Sequence, residues 1–358
     1  MAQDQDGTTT GGNKPKPANN GQSAKDRSKA QSRPMSAKAP TGKSGKATGA
    51  GGGKGGNTPR PGAKASAPPP PRTMSGAMMA WGAVGLVIIV VAVLVIVKLT
   101  SSSSPNLSYT PVIPAPASVV HDVTNIPLSV YNTVGVNFPA EAQASAPVII
   151  KNQPPLSLDG KSPAMIYYGA EYCPFCAAER WAMTAALSRF GKWSNLQITA
   201  SSHTDVDAIT NTFSYHGATF TSPYLTFRSI EVESNVPLAG GGYTSLESPT
   251  TEEQAVITKY SGPAFISGAT AGQVSFPFID IGNIALISGA TYSPAVLAGL
   301  SWTDIAGNLT DTTNPATQSI VAAANVITAS ICASTKGNPG SVCKSSGVQA
   351  AAKALKLS

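Results

Sequence analysis

Ile166-Tyr167-Tyr168-Gly169-Ala170-Glu171-Tyr172-Cys173-Pro174-Phe175-Cys176 is the stretch that decides how the rest of the chain is read. Ala164 to Tyr168 is a short β-prone run, and Gly169 breaks it. A brief loop brings the chain to Cys173-Pro174-Phe175-Cys176. Ala177 to Phe190 is then rich in helix formers, with Met183, Leu187 and Phe190 at i, i+4 and i+7 on one helical face. Gly191 supplies a stop. The two cysteines therefore sit where a strand has ended and a helix begins.

That position has a chemical consequence. A helix N-terminus carries unpaired N–H groups and about half a positive charge, both of which stabilise a thiolate. Cys173 is the expected nucleophile with a lowered pKa. Pro174 suits the first turn, where its missing N–H costs nothing. Cys176, three residues on, is placed to close a two-residue disulfide ring or to resolve a mixed disulfide. Two other chemistries use the same spacing: a static bridge, and half of a metal site. Zinc ordinarily takes four ligands at paired spacings. The remaining cysteines, Cys332 and Cys343, lack that spacing, and His121, His203 and His216 form no recognisable cluster. No metal ligand set is assigned.

The surrounding chain is uneven in composition. Residues 1–75 hold almost no large apolar side chains and run to low complexity, as in Gly49-Ala50-Gly51-Gly52-Gly53-Lys54. Such a segment cannot bury enough apolar surface to offset its ordering entropy, so a disordered tail is expected. Of the net charge of +7, the segment up to Arg72 carries 13 Lys/Arg against 3 Asp/Glu, and the rest 12 against 15. The basic character belongs to the tail. No aromatic residues interleave its charges as single-strand binders require, so no nucleic-acid partner is expected.

Met78 to Val97 is an uncharged run of 20 residues, the length at which a helix spans the ~30 Å hydrocarbon layer. A transmembrane helix over 76–98 follows, with the lipid bilayer as partner of residues 78–97. The basic flank precedes it, which places the N-terminus in the cytoplasm and the C-terminal domain outside. A cleaved signal peptide predicts a far shorter charged start and apolar core. Residues 99–118, with Pro105, Pro111, Pro114 and Pro116, read as an extended linker, and 119–358 as one extracytoplasmic domain with a sizeable core.

In that domain Leu196 to Ala200 is a further strand candidate. Tyr224 to Glu233 is another, with a phase change near Arg228 that suggests a bulge. Thr251 to Tyr260 reads as a helix, and 201–270 as a partly inserted subregion. Cys332 and Cys343 flank a turn-rich loop and, outside the cytoplasm, are expected to bond; a second redox pair is the alternative.

The decisive stretch resembles the active-site strand, loop and helix start of thioredoxin-fold oxidoreductases. Ala170-Glu171-Tyr172-Cys173 is similar to the Ala-Glu-Trp-Cys of thioredoxins, and Cys-Pro-aromatic-Cys resembles the DsbA/DsbG and glutaredoxin forms of the motif. Phe276-Pro277-Phe278-Ile279-Asp280-Ile281-Gly282-Asn283 is similar to the cis-proline strand of that fold, with Ile284 to Ile287 as the next strand and Ser293 to Leu300 as the closing helix. From about residue 119 to 345 the chain resembles a family of membrane-anchored thioredoxin-like proteins, domain of unknown function 929 (DUF929), most visibly in Glu171 to Ala182.

The resemblance implies an α/β, three-layer thioredoxin-like fold with an inserted subregion. It also implies a cis Pro277 that, with Phe276, packs over the cysteines and holds substrate backbone. Glu171, Tyr172, Pro174 and Phe175 would complete the active-site loop. Thioredoxins carry a buried Asp six residues before the first cysteine, where this chain has Tyr167. Glu179 is a candidate substitute proton relay, or else an exposed charge in the first helical turn.

The expected function is a membrane-anchored, extracytoplasmic thiol–disulfide oxidoreductase acting on cysteine-containing proteins through Cys173 and Cys176, without an organic cofactor. By the same resemblance a quinone-linked membrane partner of the DsbB or vitamin K epoxide reductase (VKOR) type would reoxidise it. The rival from another class is a non-catalytic binding scaffold at the cell envelope whose Cys-x-x-Cys is a structural bridge. A metal-handling protein is a third reading.

Overall fold

A computed structural model describes residues 108–357. The expected tail at 1–75 and the expected transmembrane helix at 76–98 lie outside the described residues. Among the described residues one helix is long and apolar enough to cross a membrane, Pro315–Ser334, and 89% of its apolar window is buried within the protein.

The domain is mixed α/β. Its central sheet has five strands: β1 (Val148–Ile149), β2 (Ala164–Gly169), β3 (Thr226–Glu231), β4 (Phe278–Ile281) and β5 (Ala285–Ser288). Their spatial order is β1-β5-β4-β2-β3. β2 and β3 run parallel, with Tyr167 opposite Ser229 and Gly169 opposite Glu231. The other pairings are antiparallel, with Phe278 opposite Tyr168 across β4 and β2.

The inner strands β2, β4 and β5 are buried on both faces. On one side Met165, Tyr167, Ile279, Ile281, Ala285 and Ile287 pack in the larger core beneath α1 (Pro174–Leu187) and the 20-residue α3 (Pro315–Ser334). On the other, Ala164, Ile166, Ile230, Phe278 and Leu286 pack beneath α2 (Thr251–Tyr260). Period-2 alternation thus divides each strand between two cores, giving helix, sheet and helix layers. Helix α4 (Ser346–Leu355) packs against α3 at the C-terminal end.

Several expectations hold in detail. β2, the Cys173 helix, α2 and the strand after Pro277 form where the sequence places them. Thr250 caps α2 in a reciprocal box with Glu253. The Phe276–Pro277 peptide is cis. Cys332 and Cys343 form a disulfide.

Others are corrected. Ser293 to Leu300 holds only a 3-10 turn, Pro294–Leu297, and the long helix of that region is α3. No bulge interrupts β3, whose register with β2 runs without a shift from Thr226 to Glu231. Its mixed phase reflects apolar packing on both faces. Gln197–Ala200 is a strand, but it joins Asn211–Ser214 and Ile113–Pro114 in a separate three-stranded sheet. Residues read as linker accordingly belong to the fold. Ala115 donates to the Leu196 carbonyl, and the Thr110 carbonyl accepts from Thr199 and Asn235. Proline is tolerated there because Ile113–Pro114 is an edge strand.

Candidate functional site

Cys173 is the N-cap of α1, with Pro174 in the first turn. Its sulfur accepts the Cys176 backbone N–H at 3.3 Å, so a side-chain atom satisfies one of the helix's orphan donors. Both cysteines are free thiols. They differ sharply in surroundings. The hydrogen bond with the Cys176 side chain holds the Cys173 thiol below its ordinary pKa, with backbone amides and the Arg180 guanidinium acting in the same sense against burial. Burial pushes the Cys176 thiol well up, and the hydrogen bond and charge of Cys173 push it the same way. Cys173 is 6% exposed and Cys176 is fully enclosed.

The cis peptide lies alongside, as expected. The Cys173 thiol points to the Phe276 carbonyl at 4.0 Å, and the Phe276 ring meets Tyr168 edge-on at 5.3 Å. Tyr172 stacks on Tyr243 at 4.2 Å, which brings the hairpin of Glu233–Pro237 and Tyr243–Ser245 to the rim of the site. Phe175 is 38% exposed, next to the nucleophile.

Two proposed site residues are placed differently from a solvent-facing loop. Glu171 is buried; its carboxylate accepts from the Ser214 hydroxyl and its N–H donates to the Glu233 carbonyl. Glu179 is not an exposed charge. It is fully buried, and one carboxylate oxygen accepts from the Thr291 N–H and hydroxyl, each at 2.8 Å. Burial pushes its pKa up to about 7 despite those bonds. Its hydrogen bonds run to Thr291 and none to either cysteine.

Beneath the dithiol is a group the sequence reading missed. Arg180 Nη1 donates to Glu231 Oε1 at 2.7 Å and to the Tyr167 hydroxyl at 3.2 Å. Tyr167 in turn donates to Glu231 Oε2 at 3.5 Å, and both side chains of the ion pair are fully buried. Burial raises the Glu231 carboxyl pKa against the pull of Arg180. Arg180 lies four residues after Cys176, on the same helix face, and that spacing was the available signal. Gly169 makes room for the arrangement: a Cβ there would sit 2.9 Å from the Cys176 sulfur and closer still to the Tyr167 ring. Among the described residues no group of three or more His, Cys, Asp or Glu side chains is arranged to hold a metal ion.

A mixed α/β domain with a paired thiol at a helix N-terminus, facing a cis X–Pro peptide, is the class that fold and site define. The family described as "Domain of unknown function (DUF929)" matches residues 147–333, over half of the 358-residue chain, and the chain belongs to that family. The match begins just before β1 and takes in the whole central sheet and the dithiol. No curated protein and no solved structure matches the chain, and no thioredoxin or DsbA homologue is identified.

Proposed function

We propose that the chain is a membrane-anchored, extracytoplasmic thiol–disulfide oxidoreductase of thioredoxin-like fold, working through Cys173 and Cys176. The observation that carries this reading is the asymmetry of the dithiol: a helix-capping Cys173 with a depressed pKa and an enclosed Cys176 with a raised one. The fold reading draws support from β2 leading into the dithiol helix, β3 parallel beside it, and β4 following the cis peptide.

Oxidation of a substrate proceeds in two exchanges. A substrate thiolate attacks the Cys173 sulfur of the Cys173–Cys176 disulfide. The new sulfur–sulfur bond forms as the old one breaks, and Cys176 leaves with the electron pair and takes up a proton. A second substrate thiolate then attacks the substrate sulfur of the mixed disulfide and expels Cys173 as a thiolate. Two electrons pass from the substrate dithiol to the protein dithiol; of the two protons the substrate thiols give up, one goes to Cys176 and the other to solvent, while Cys173 stays a thiolate. A low-pKa Cys173 is a good leaving group in the second exchange, which favours the oxidising direction. Phe276 and Pro277 would hold the substrate backbone. A quinone-linked membrane partner of the DsbB or VKOR type would accept the two electrons and restore the disulfide, and residues 78–97 would fix the domain to the bilayer.

The second reading, a binding scaffold with a static Cys-x-x-Cys bridge, draws on the burial of Cys173. Redox titration of the full-length chain, followed by thiol alkylation and mass, separates the two. A reversible midpoint of roughly −120 to −200 mV is expected for an oxidant or isomerase. A midpoint below about −300 mV, or thiols that never alkylate, would move the assignment to the scaffold.

A further inference from the structure

A cleft of about 590 Å³ lies between the edge strand β1, the C-terminal half of α3 and helix α4. Its size falls within the roughly 300–1,000 Å³ range of small-ligand sites. Its wall is mixed, with the aliphatic side chains of Ile149, Ile284, Ala329, Val348 and Leu357 beside polar Asn152 and Gln349, and the Cys332–Cys343 pair closes one side.

The charge around this cleft is of one sign. Lys151, Lys344 and Lys356 line it and no Asp or Glu does. Among the described residues none of the three lysines takes part in an ion pair. After Asp311 the chain carries Lys336, Lys344, Lys353 and Lys356 and no acid, although from Asp122 to Asp311 acids outnumber bases. Three lysines line the hollow with no Asp or Glu among the described lining residues, which gives its rim a positive potential that an anion would meet favourably. Two of the three lysines, with α4, lie beyond the matched family region, which ends at 333. The cleft is therefore built in part from residues outside the matched region.

We propose that this cleft binds a single-chain amphipathic anion, a long-chain fatty acid, with its hydrocarbon against Ile149, Val348 and Leu357 and its carboxylate among Lys151, Lys344 and Lys356. Taking about 30 Å³ for a water-sized group, the volume holds about 20 heavy atoms. That is the size of one acyl chain with its head group, and it is too small for a diacyl lipid. The site is remote in residue content from the dithiol, and its occupancy does not depend on the redox reading.

The test uses the full-length chain reconstituted in phosphatidylcholine vesicles, with a diazirine-bearing palmitate as photoprobe and peptide mapping by mass. Saturable labelling is expected in peptides covering 148–152 and 329–357. Palmitate should compete it, and hexadecyltrimethylammonium, of the same chain length and opposite charge, should not. Lys344→Glu and Lys356→Glu, at exposed positions, should each reduce labelling about fivefold, the upper range for one exposed charge pair. Ala352→Trp should abolish it by filling the hollow with charge unchanged, provided the melting temperature is retained. Unsaturable labelling, equal competition by the cationic chain, indifference to the lysine variants, or no label in these peptides would each overturn the proposal.

Discussion

The Arg180 guanidinium pulls the pKa of both thiols down, and Glu231 offsets part of its charge through a 2.7 Å contact. Glu231→Gln should therefore lower the Cys173 pKa further, because the guanidinium loses its carboxylate and acts more fully on the thiolate. The rise of thiolate absorbance at 240 nm with pH measures this, and an unchanged or raised midpoint would disprove the coupling. The same substitution breaks a fully buried pair and should reduce stability by about 3 kcal/mol.

Two other buried acids set a pH dependence. Glu179 and Asp280 each have a pKa raised to about 7, chiefly by burial, and Asp280 Oδ2 and Glu179 Oε1 lack hydrogen-bond partners. A folded pKa above the unfolded value means the native state binds more protons. Stability is then fully present below the unfolded values of 3.8 and 4.5 and is lost as pH rises through about 7. Glu179→Gln and Asp280→Asn should each flatten the fall in unfolding free energy between pH 5 and 8, by an amount on the order of 3 kcal/mol, in denaturant titrations; parallel curves for wild type and variants would refute it. At this scale the dithiol was readable because its chemistry is local: four consecutive residues and a helix start. The Arg180–Glu231 pair was not, since its members lie 51 residues apart and meet only through the parallel pairing of β2 and β3.

At the level of elements the same contrast holds. β2, α1, α2 and β4 carry strong local signals: a β-branched or aromatic run, a capping box, a proline before a strand. Helix α3 carries none, because apolar and small residues surround it on every side and leave no amphipathic phase to detect. Its few polar side chains reveal its role. Asn325, fully buried in the middle of α3, donates to the carbonyls of Tyr131 and Gly135 at 2.8 and 2.9 Å, and accepts from Arg189 at 3.2 Å. One amide thus ties the end of the Leu128–Val134 helix and the loop after α1 to the core helix. Asn325→Leu keeps the volume roughly but leaves the buried Gly135 carbonyl without its donor, while the Tyr131 carbonyl keeps the Gly135 N–H. It should destabilise the domain by about 1–3 kcal/mol, the cost of one unsatisfied buried group, in chemical denaturation. A loss below about 0.5 kcal/mol would mean that the loop and helix end are held by packing alone.

For the molecule as a whole, the proposed function divides the two cysteine pairs between reaction and stability, and that division is measurable. Cys332 and Cys343 are 11 residues apart and bonded. They join the last turn of α3 to the segment that leads into α4, so the crosslink holds the C-terminal layer against the core. In the chain-entropy account a loop of this length stabilises by about 3 kcal/mol. For a domain of roughly 250 residues that corresponds to about 6–12 °C in melting temperature. The double substitution Cys332→Ser, Cys343→Ser should lower the melting temperature by that amount and leave the redox midpoint of Cys173–Cys176 where it was. Cys176→Ser should do the reverse, abolishing the two-electron midpoint with a much smaller thermal effect, since it leaves the hydroxyl of a similar side chain at an N-terminal helix position. If removing Cys332 and Cys343 instead shifts the Cys173–Cys176 midpoint by more than about 30 mV, a factor of ten in the exchange equilibrium, the second pair belongs to the electron path. The separation into a reactive and a structural disulfide would then have to be abandoned.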